Sequence, residues 1–184
     1  MKLSILIPTL KSRKKTFEKL KKSIKRQEVV GVEILSCPDN GERSIGEKRN
    51  ALLKSARGKY IAFIDDDDRI SPHYISEVMK GIEDDVDCCS LVGEITTDGK
   101  SPKIFVHSIK YDKYFESESV YYRPPNHLNV IKKSLVKGFR FPETDFGEDT
   151  NWAMKICNSG VLKTEYKIKK TIYFYDYLTS KELV

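Results

Sequence analysis

The sequence predicts an α/β protein, one domain with a mainly parallel central sheet and a smaller antiparallel portion in its second half. Three observations carry this. Short apolar runs alternate with helical patterns from Leu3 to Ile64; helix-length segments separate consecutive strands, as parallel pairing requires; and a hairpin turn signal comes only after Val86. Right-handed crossovers then make the first half doubly wound and Rossmann-like.

Taken in order, Leu3 to Ile7 (LSILI) is an apolar strand ended by Pro8-Thr9, and a basic helix runs from about Lys14 to Gln27 with Phe17, Leu20 and Ile24 at helical spacing. Val32 to Ser36 is a second strand, closed by the turn cluster Cys37-Pro38-Asp39-Asn40-Gly41. A helix over Ile45 to Ala56 carries Ala51, Leu52 and Leu53 inward, with Gly58 placed to stop it. Tyr60 to Ile64 is the third strand, and a helix follows from Pro72 to about Glu83. Val86 to Val92 and Ile104 to His107 are shorter strands around a hairpin turn at Thr97-Asp98-Gly99-Lys100. Tyr111 to Asn129, with Pro124-Pro125, reads as a surface loop or site wall. Gly147 to Asn158 is a helix with Trp152, Ile156, Ala153 and Cys157 spaced i to i+4, and strands near Leu162 to Tyr166 and Thr171 to Tyr175 follow. No repeat or linker divides the chain, so the two halves are expected to share one sheet.

At 184 residues, with 39% hydrophobic and 33% charged, the chain suits one domain able to bury a core without staples. No apolar run approaches the roughly 18 residues of a membrane span, and MKLSILIPTL reaches Lys11, Ser12 and Arg13 too soon for a signal peptide, which places the protein in the cytoplasm. Cys37, Cys88, Cys89 and Cys157 form no CxxC pair, so buried thiols are expected rather than a zinc site or disulfides. The net charge of +6 is uneven: Lys11, Arg13, Lys14, Lys15, Lys19, Lys21, Lys22, Lys25 and Arg26 crowd the first helix. That crowding fits either a polyanion partner or the solvated face of an amphipathic helix.

Chemistry concentrates in YIAFIDDDDRISP. Four adjacent carboxylates at the end of a buried strand repel one another unless a cation neutralises them or they fray into solvent. They mark either a hard-metal site holding a diphosphate or a solvated acidic turn that caps the next helix. Pro8, Thr9, Asp39, Asn40, Arg49 and Asp65 to Asp67 all fall at or facing the carboxyl ends of the first three strands, the edge where open α/β sheets bind ligands. Neither GxGxxG nor GxxxxGK[ST] follows the first strand, which excludes the dinucleotide and P-loop classes and, with PTLKSRKK lacking glycines, argues against a nucleotidyltransferase.

In LSILIPTL, VEILSCPDNG, GEKRNALLKSARGKYIAFIDDDDRISP and FPETDFGEDTNWAMKI, in that order, the chain resembles the GT-A glycosyltransferases of inverting family 2. The resemblance implies a metal-dependent, nucleotide-sugar-dependent transferase with residues 1–92 as the donor half and 93–184 as the acceptor and catalytic-base half. By position, Pro8 and Thr9 line the nucleotide pocket, Asp39 pairs with the base and Arg49 sits beside it. In the aspartate (DXD) motif Asp67 is the Mg²⁺ or Mn²⁺ ligand and Asp65 or Asp66 lies on the ribose side. Glu148-Asp149 matches the family's ED pair, with Asp149 as general base and Glu148 as the first substitute; plain helix capping would also place acids there. Asn126 and His127 are candidate acceptor or donor wall residues.

The family's C-terminal histidine is missing from TIYFYDYLTS, where Asp176, a tyrosine, water or phosphate would have to complete a metal shell. A UDP-sugar is the expected donor, on family frequency. The basic helix suggests an anionic acceptor, a phosphorylated glycan or a hydroxylated base in DNA stacked on Tyr121, Tyr122 and His127. The reading from a different class is a non-catalytic polyanion- or nucleic-acid-binding module.

Overall fold

The computed structural model describes residues 1–27 and 30–179. Its first sheet has the strand order β11-β5-β10-β3-β1-β2, with β1 at Leu3–Leu10, β2 at Val32–Asp39, β3 at Tyr60–Phe63, β5 at Cys88–Cys89, β10 at Ile131–Lys132 and β11 at Glu165–Tyr166. β2 and β3 flank β1 in parallel, while β10 runs antiparallel between β3 and β5. The second sheet has the order β4-β12-β6-β7-β9-β8, with β4 at Arg69–Ile70, β6 at Leu91–Thr97, β7 at Lys100–His107, β8 at Phe115–Glu116, β9 at Val120–Arg123 and β12 at Tyr173–Tyr177.

Strand alternation makes the first sheet a central layer. Leu3, Ile5, Ile7, Tyr60, Ala62 and Ile64 pack on one side with Leu20 and Ile24 of α1 (Lys14–Lys25) and with Ile75, Val78 and Ile82 of α3 (Tyr74–Glu83). Leu6, Ile61 and Phe63 face the other side, against Leu52 and Leu53 of α2 (Ile45–Ser55) and Trp152 and Ile156 of α5 (Glu148–Ser159). A strand apolar at every position is therefore covered on both faces. On α1 the lysines at 14, 15, 19, 22 and 25 are exposed, opposite buried Leu20 and Ile24.

Several expectations need correction. The halves do share strands, but in two sheets rather than one: β10 and β11 join the first sheet and β4 joins the second. Val86 to Val92 is not a single strand: Cys88–Cys89 pairs in the first sheet, Leu91–Thr97 in the second, and Ser90 is the corner, its N–H donating to Tyr166 O at 2.9 Å and its Oγ accepting from Ile168 N at 2.8 Å. An apolar run carries no mark of which sheet each residue joins. Within Tyr111 to Asn129, taken as irregular, β9 pairs in parallel with β7 and β8 pairs antiparallel with β9. β10 and the short α4 (Lys133–Val136) went unrecognised, and the strand expected near Leu162 shrinks to Glu165–Tyr166. Gly58 is no helix stop either. The helix ends at Ala56 in extended conformation, and a Cβ on Gly58 would lie 2.5 Å from Ser4 N, so the residue permits close approach to β1. There the Gly58 N–H donates to Ser4 Oγ at 2.7 Å, and Ser4 Oγ donates to buried Glu33 at 2.6 Å.

β6 and β7 meet at the expected Asp98-Gly99 turn. No helix among the described residues is long and apolar enough to cross a membrane.

Candidate active site

β1, β2 and β3 end on one edge, and the aspartate run leaves β3 directly over it. Each of the four carboxylates meets a partner from a different element. Asp65 accepts from Arg49 Nη2 at 2.9 Å, and Asp66 accepts from Thr9 Oγ1 at 2.6 Å and pairs with Arg13 at 3.0 Å. Half-exposed Asp67 shares that guanidinium, while buried Asp68 accepts from the Tyr173 hydroxyl. Ser71 N to Ile172 O, at 3.0 Å, and the β4–β12 pairing bolt the far end of the loop to the second sheet. Partners from four elements, with Arg13 shared by Asp66 and Asp67, thus hold the run in place. Burial would raise the Asp65 carboxyl, but Arg49 and His127 more than offset it and hold it well below the usual range. Burial wins at Asp66 and Asp68, whose carboxyls are pushed up, the latter also by Asp65.

Arg49 is the hub. Its side chain is 4% exposed on α2, lies over the rings of Phe63 and Phe141 at 5.8 and 5.7 Å, and reaches Glu148 Oε1 with Nη1 at 3.2 Å as well as Asp65. One cation therefore ties the aspartate loop to the start of α5. Glu148 is held inward in this way and its carboxyl is raised by burial, with Arg49 opposing and Asp149 adding to the shift. The residue preceding α5 is Gly147, without a side-chain cap, so neither acid serves as the N-cap. Asp149 Oδ1 accepts from Thr150 N at 2.7 Å, and Oδ2 lies 3.7 Å from His127 Nδ1. His127, 4% exposed, also places Nε2 at 3.6 Å from Asp65 Oδ2, and neither ring nitrogen has a hydrogen-bond partner among the described residues. It stands between the two acids.

A cleft of about 350 Å³ opens here, lined by Pro8, Arg49, Asp65, Asp66, Asp67, His127, Glu148, Asp149 and Asp176, all singled out from the sequence, and by Arg13, Asp145, Phe146 and Tyr175. Asn126 is buried behind it, donating its N–H to Asn129 Oδ1 at 3.0 Å and accepting from Leu128 N at 3.0 Å, which shapes the loop that presents His127. Thr9 is engaged with Asp66. Asp39 is 6% exposed and satisfied by Lys48 and by the N–H groups of Gly41 and Arg43 at 3.1 and 3.2 Å; burial raises its carboxyl, but these partners lower it further. Asp176 accepts from Thr96 Oγ1 at 2.6 Å and Gly99 N at 2.8 Å.

Two cations escaped the sequence reading. Lys48, 3% exposed, pairs with Asp39 and donates to Thr9 O at 3.1 Å, clamping the ends of β1 and β2. Arg13 sits in the short 3₁₀ turn Lys11–Arg13 before α1 and turns into the cleft. A lysine four residues after an N-cap serine looks like surface, and Arg13 is hidden among eight basic neighbours; only the residues across from them give them their roles.

The profile described as Glycosyl transferase family 2 matches residues 11–155. EpsH of Bacillus subtilis (strain 168), whose name describes it as a glycosyltransferase, is 38% identical over 61 residues, 32% of this chain and 18% of that protein. Among solved structures, S. aureus TarS 1-349 in complex with UDP superposes with a TM-score of 0.73 at 19% identity, over 96% of this chain and 60% of TarS 1-349. The mannosyltransferase PcManGT from Pyrobaculum calidifontis, in complex with GDP-Man and Mn²⁺, gives 0.63 at 14% identity, over 94% of this chain and 56% of that one. The chain thus spans well under two thirds of the relatives it matches, and these likenesses show its fold to be GT-A. With the family profile covering most of its length, the chain belongs to glycosyl transferase family 2.

Proposed function

We propose that this chain transfers a sugar from a nucleoside diphosphate, UDP in the first instance, to an acceptor hydroxyl with inversion, using a divalent cation. The observation that carries this reading is the convergence, in one cleft, of the aspartate loop and the Glu148-Asp149 helix start around Arg49. Carboxylates from the two halves of the chain are brought to the same place, as a reaction with a donor side and an acceptor side requires. UDP is chosen because TarS is seen with it, and GDP remains the alternative because PcManGT is seen with GDP-Man.

Asp67 is the residue proposed to hold Mg²⁺ or Mn²⁺. No group of three His, Cys, Asp or Glu side chains converges for a metal among the described residues, so a protein cage is not what this donor set offers. One half-exposed carboxylate fits a hard cation that keeps water and phosphate oxygens as its other ligands. When bound, such an ion neutralises charge developing on the departing diphosphate. Arg13, now on Asp66 and Asp67, is placed to turn to those phosphates. Pro8 and Thr9 are proposed to line the nucleotide pocket with Arg49 alongside, and Asp65 or Asp66 to lie on the ribose side. Asp39 is proposed to act by fixing the β2 loop under the base, since its own oxygens are already engaged.

Asp149 is the proposed general base. Oδ1 is tied down by Thr150 N and Oδ2 faces the cleft; it takes the acceptor proton as the acceptor oxygen bonds to the anomeric carbon and the bond to the nucleoside diphosphate breaks. Titrating UDP calorimetrically with Mn²⁺, then with EDTA, tests the donor side. Tight binding with the metal and little without it is expected; equal affinity in both would defeat the metal-dependent reading.

A further inference from the structure

Arg123 ends β9 as a half-buried cation with no carboxylate within 4.0 Å among the described residues. Its guanidinium carbon lies 5.7 Å from the Tyr114 ring and 5.5 Å from the Tyr121 ring, and Lys103 Nζ lies 4.1 Å from Tyr121. Arginine between two aromatic faces is held in one plane while its N–H groups keep their donor capacity. Elsewhere in the site every guanidinium and ammonium is matched: Arg49, Arg13 and Lys48 each have a carboxylate. Arg123 is the cation left over.

Two observations keep it in the neighbourhood of the base. Only Pro124, Pro125 and Asn126 separate it from His127, so its Cα lies at most roughly 14 Å from that of His127, the residue facing Asp149. Cys157 Sγ contacts Tyr111 O and Asp112 O at 3.8 Å, which sets the start of this segment against the C-terminal end of α5, the helix that Glu148 and Asp149 open. Burial and the nearby Asp149 carboxylate both push the Tyr114 hydroxyl up, in keeping with that placement.

We propose that Arg123, held between Tyr114 and Tyr121, binds a phosphate carried by a sugar or polyol acceptor, next to the hydroxyl presented to Asp149. The inference rests on the reading of Asp149 as the base and names the acceptor class for it. Bidentate guanidinium–phosphate pairing supplies selectivity over neutral acceptors, and the tyrosine faces take the C–H faces of a sugar ring. A single receptor cation of this kind suits one phosphate; a nucleic acid would spread its contacts over many lysines.

The test is a chemical-shift titration of the full chain with glycerol 1-phosphate, with glycerol, and with a hydroxymethylated DNA duplex, each with and without saturating UDP and Mn²⁺. Glycerol 1-phosphate is expected to bind in both states and glycerol in neither. Arg123→Gln is expected to weaken glycerol 1-phosphate by about tenfold or more, the scale of a charge-assisted pair, with UDP affinity unchanged. Tyr114→Leu, which leaves the charge and removes one stacking face, is expected to weaken it less. Equal binding of glycerol and its phosphate, indifference to both substitutions, or binding of the duplex alone overturns the proposal. Failure of UDP to bind would overturn the donor reading instead, since the phosphate arm without UDP still decides the role of Arg123.

Discussion

His127 and Asp149 face each other across the cleft, Nδ1 to Oδ2 at 3.7 Å, with the other ring nitrogen 3.6 Å from Asp65. The histidine is nearly sealed from solvent, and both approaches are just beyond hydrogen-bond length. Removing the ring by His127→Ala is expected to lower kcat by about 10- to 100-fold, the usual cost of loosening a positioned group. Steady-state kinetics decide it; a change confined to KM would make the residue a wall contact only.

Asp149→Asn is expected to lower kcat by at least about 10²-fold, the ordinary scale for losing a general base, while UDP affinity stays as it was. A fully active Asp149→Asn enzyme would move the role to Glu148, whose raised carboxyl and inward orientation make it the next group to examine.

Arg49→Met leaves half-buried Asp65 and buried Glu148 with their shared cation gone. Destabilisation of about 3–5 kcal/mol is expected, as for other buried pairs broken on one side. The denaturant midpoint measures this, and Arg49→Lys should recover only part of it because a single ammonium cannot span both carboxylates.

Acid stability should track Asp39 and Glu33. Both carboxyls are lowered despite burial, Asp39 by Lys48 and backbone N–H groups and Glu33 by Ser4 and Arg57. A carboxyl depressed in the folded state contributes stability above its unfolded pKa, and that contribution is lost as pH falls through the folded value. Thermal midpoints are therefore expected to drop as pH goes below about 4, near the unfolded values of these groups. Asp39→Asn should flatten the fall; an unchanged profile would remove Asp39 from the account.

Gly46, in the first turn of α2, has no room for a side chain: an added Cβ would fall 1.8 Å from Pro142 O, in the loop that leads to Glu148 and Asp149. Gly46→Ala is expected to cost about 1–3 kcal/mol by overpacking. At this chain length that is roughly 2–4 °C in Tm for each kcal/mol. Because the displaced loop leads into the helix start that carries the proposed base, kcat should fall along with Tm; a loss of Tm alone would detach the loop from catalysis.

Hydrophobic periodicity and turn chemistry are local properties, and they determined the alternating strands and helices up to Glu83, the Asp98-Gly99 turn and the α5 helix. The ordered motifs likewise singled out Asp65, Asp66, Asp67, Glu148 and Asp149, because carboxylates in these patterns are legible wherever they fold. Only the tertiary structure decided which acid meets which cation. Arg49 bridges residues 16 and 99 positions away, Lys48 turns inward to Asp39, and Tyr173 reaches Asp68 from 105 residues on. It also decided that Ser90 divides one apolar run between two sheets and that Val120–Arg123 is a strand carrying an unmatched arginine. Pairing across sheets and burial of a charge depend on what arrives from distant parts of the chain, and a carboxylate's neighbours in sequence carry no record of its neighbours in space.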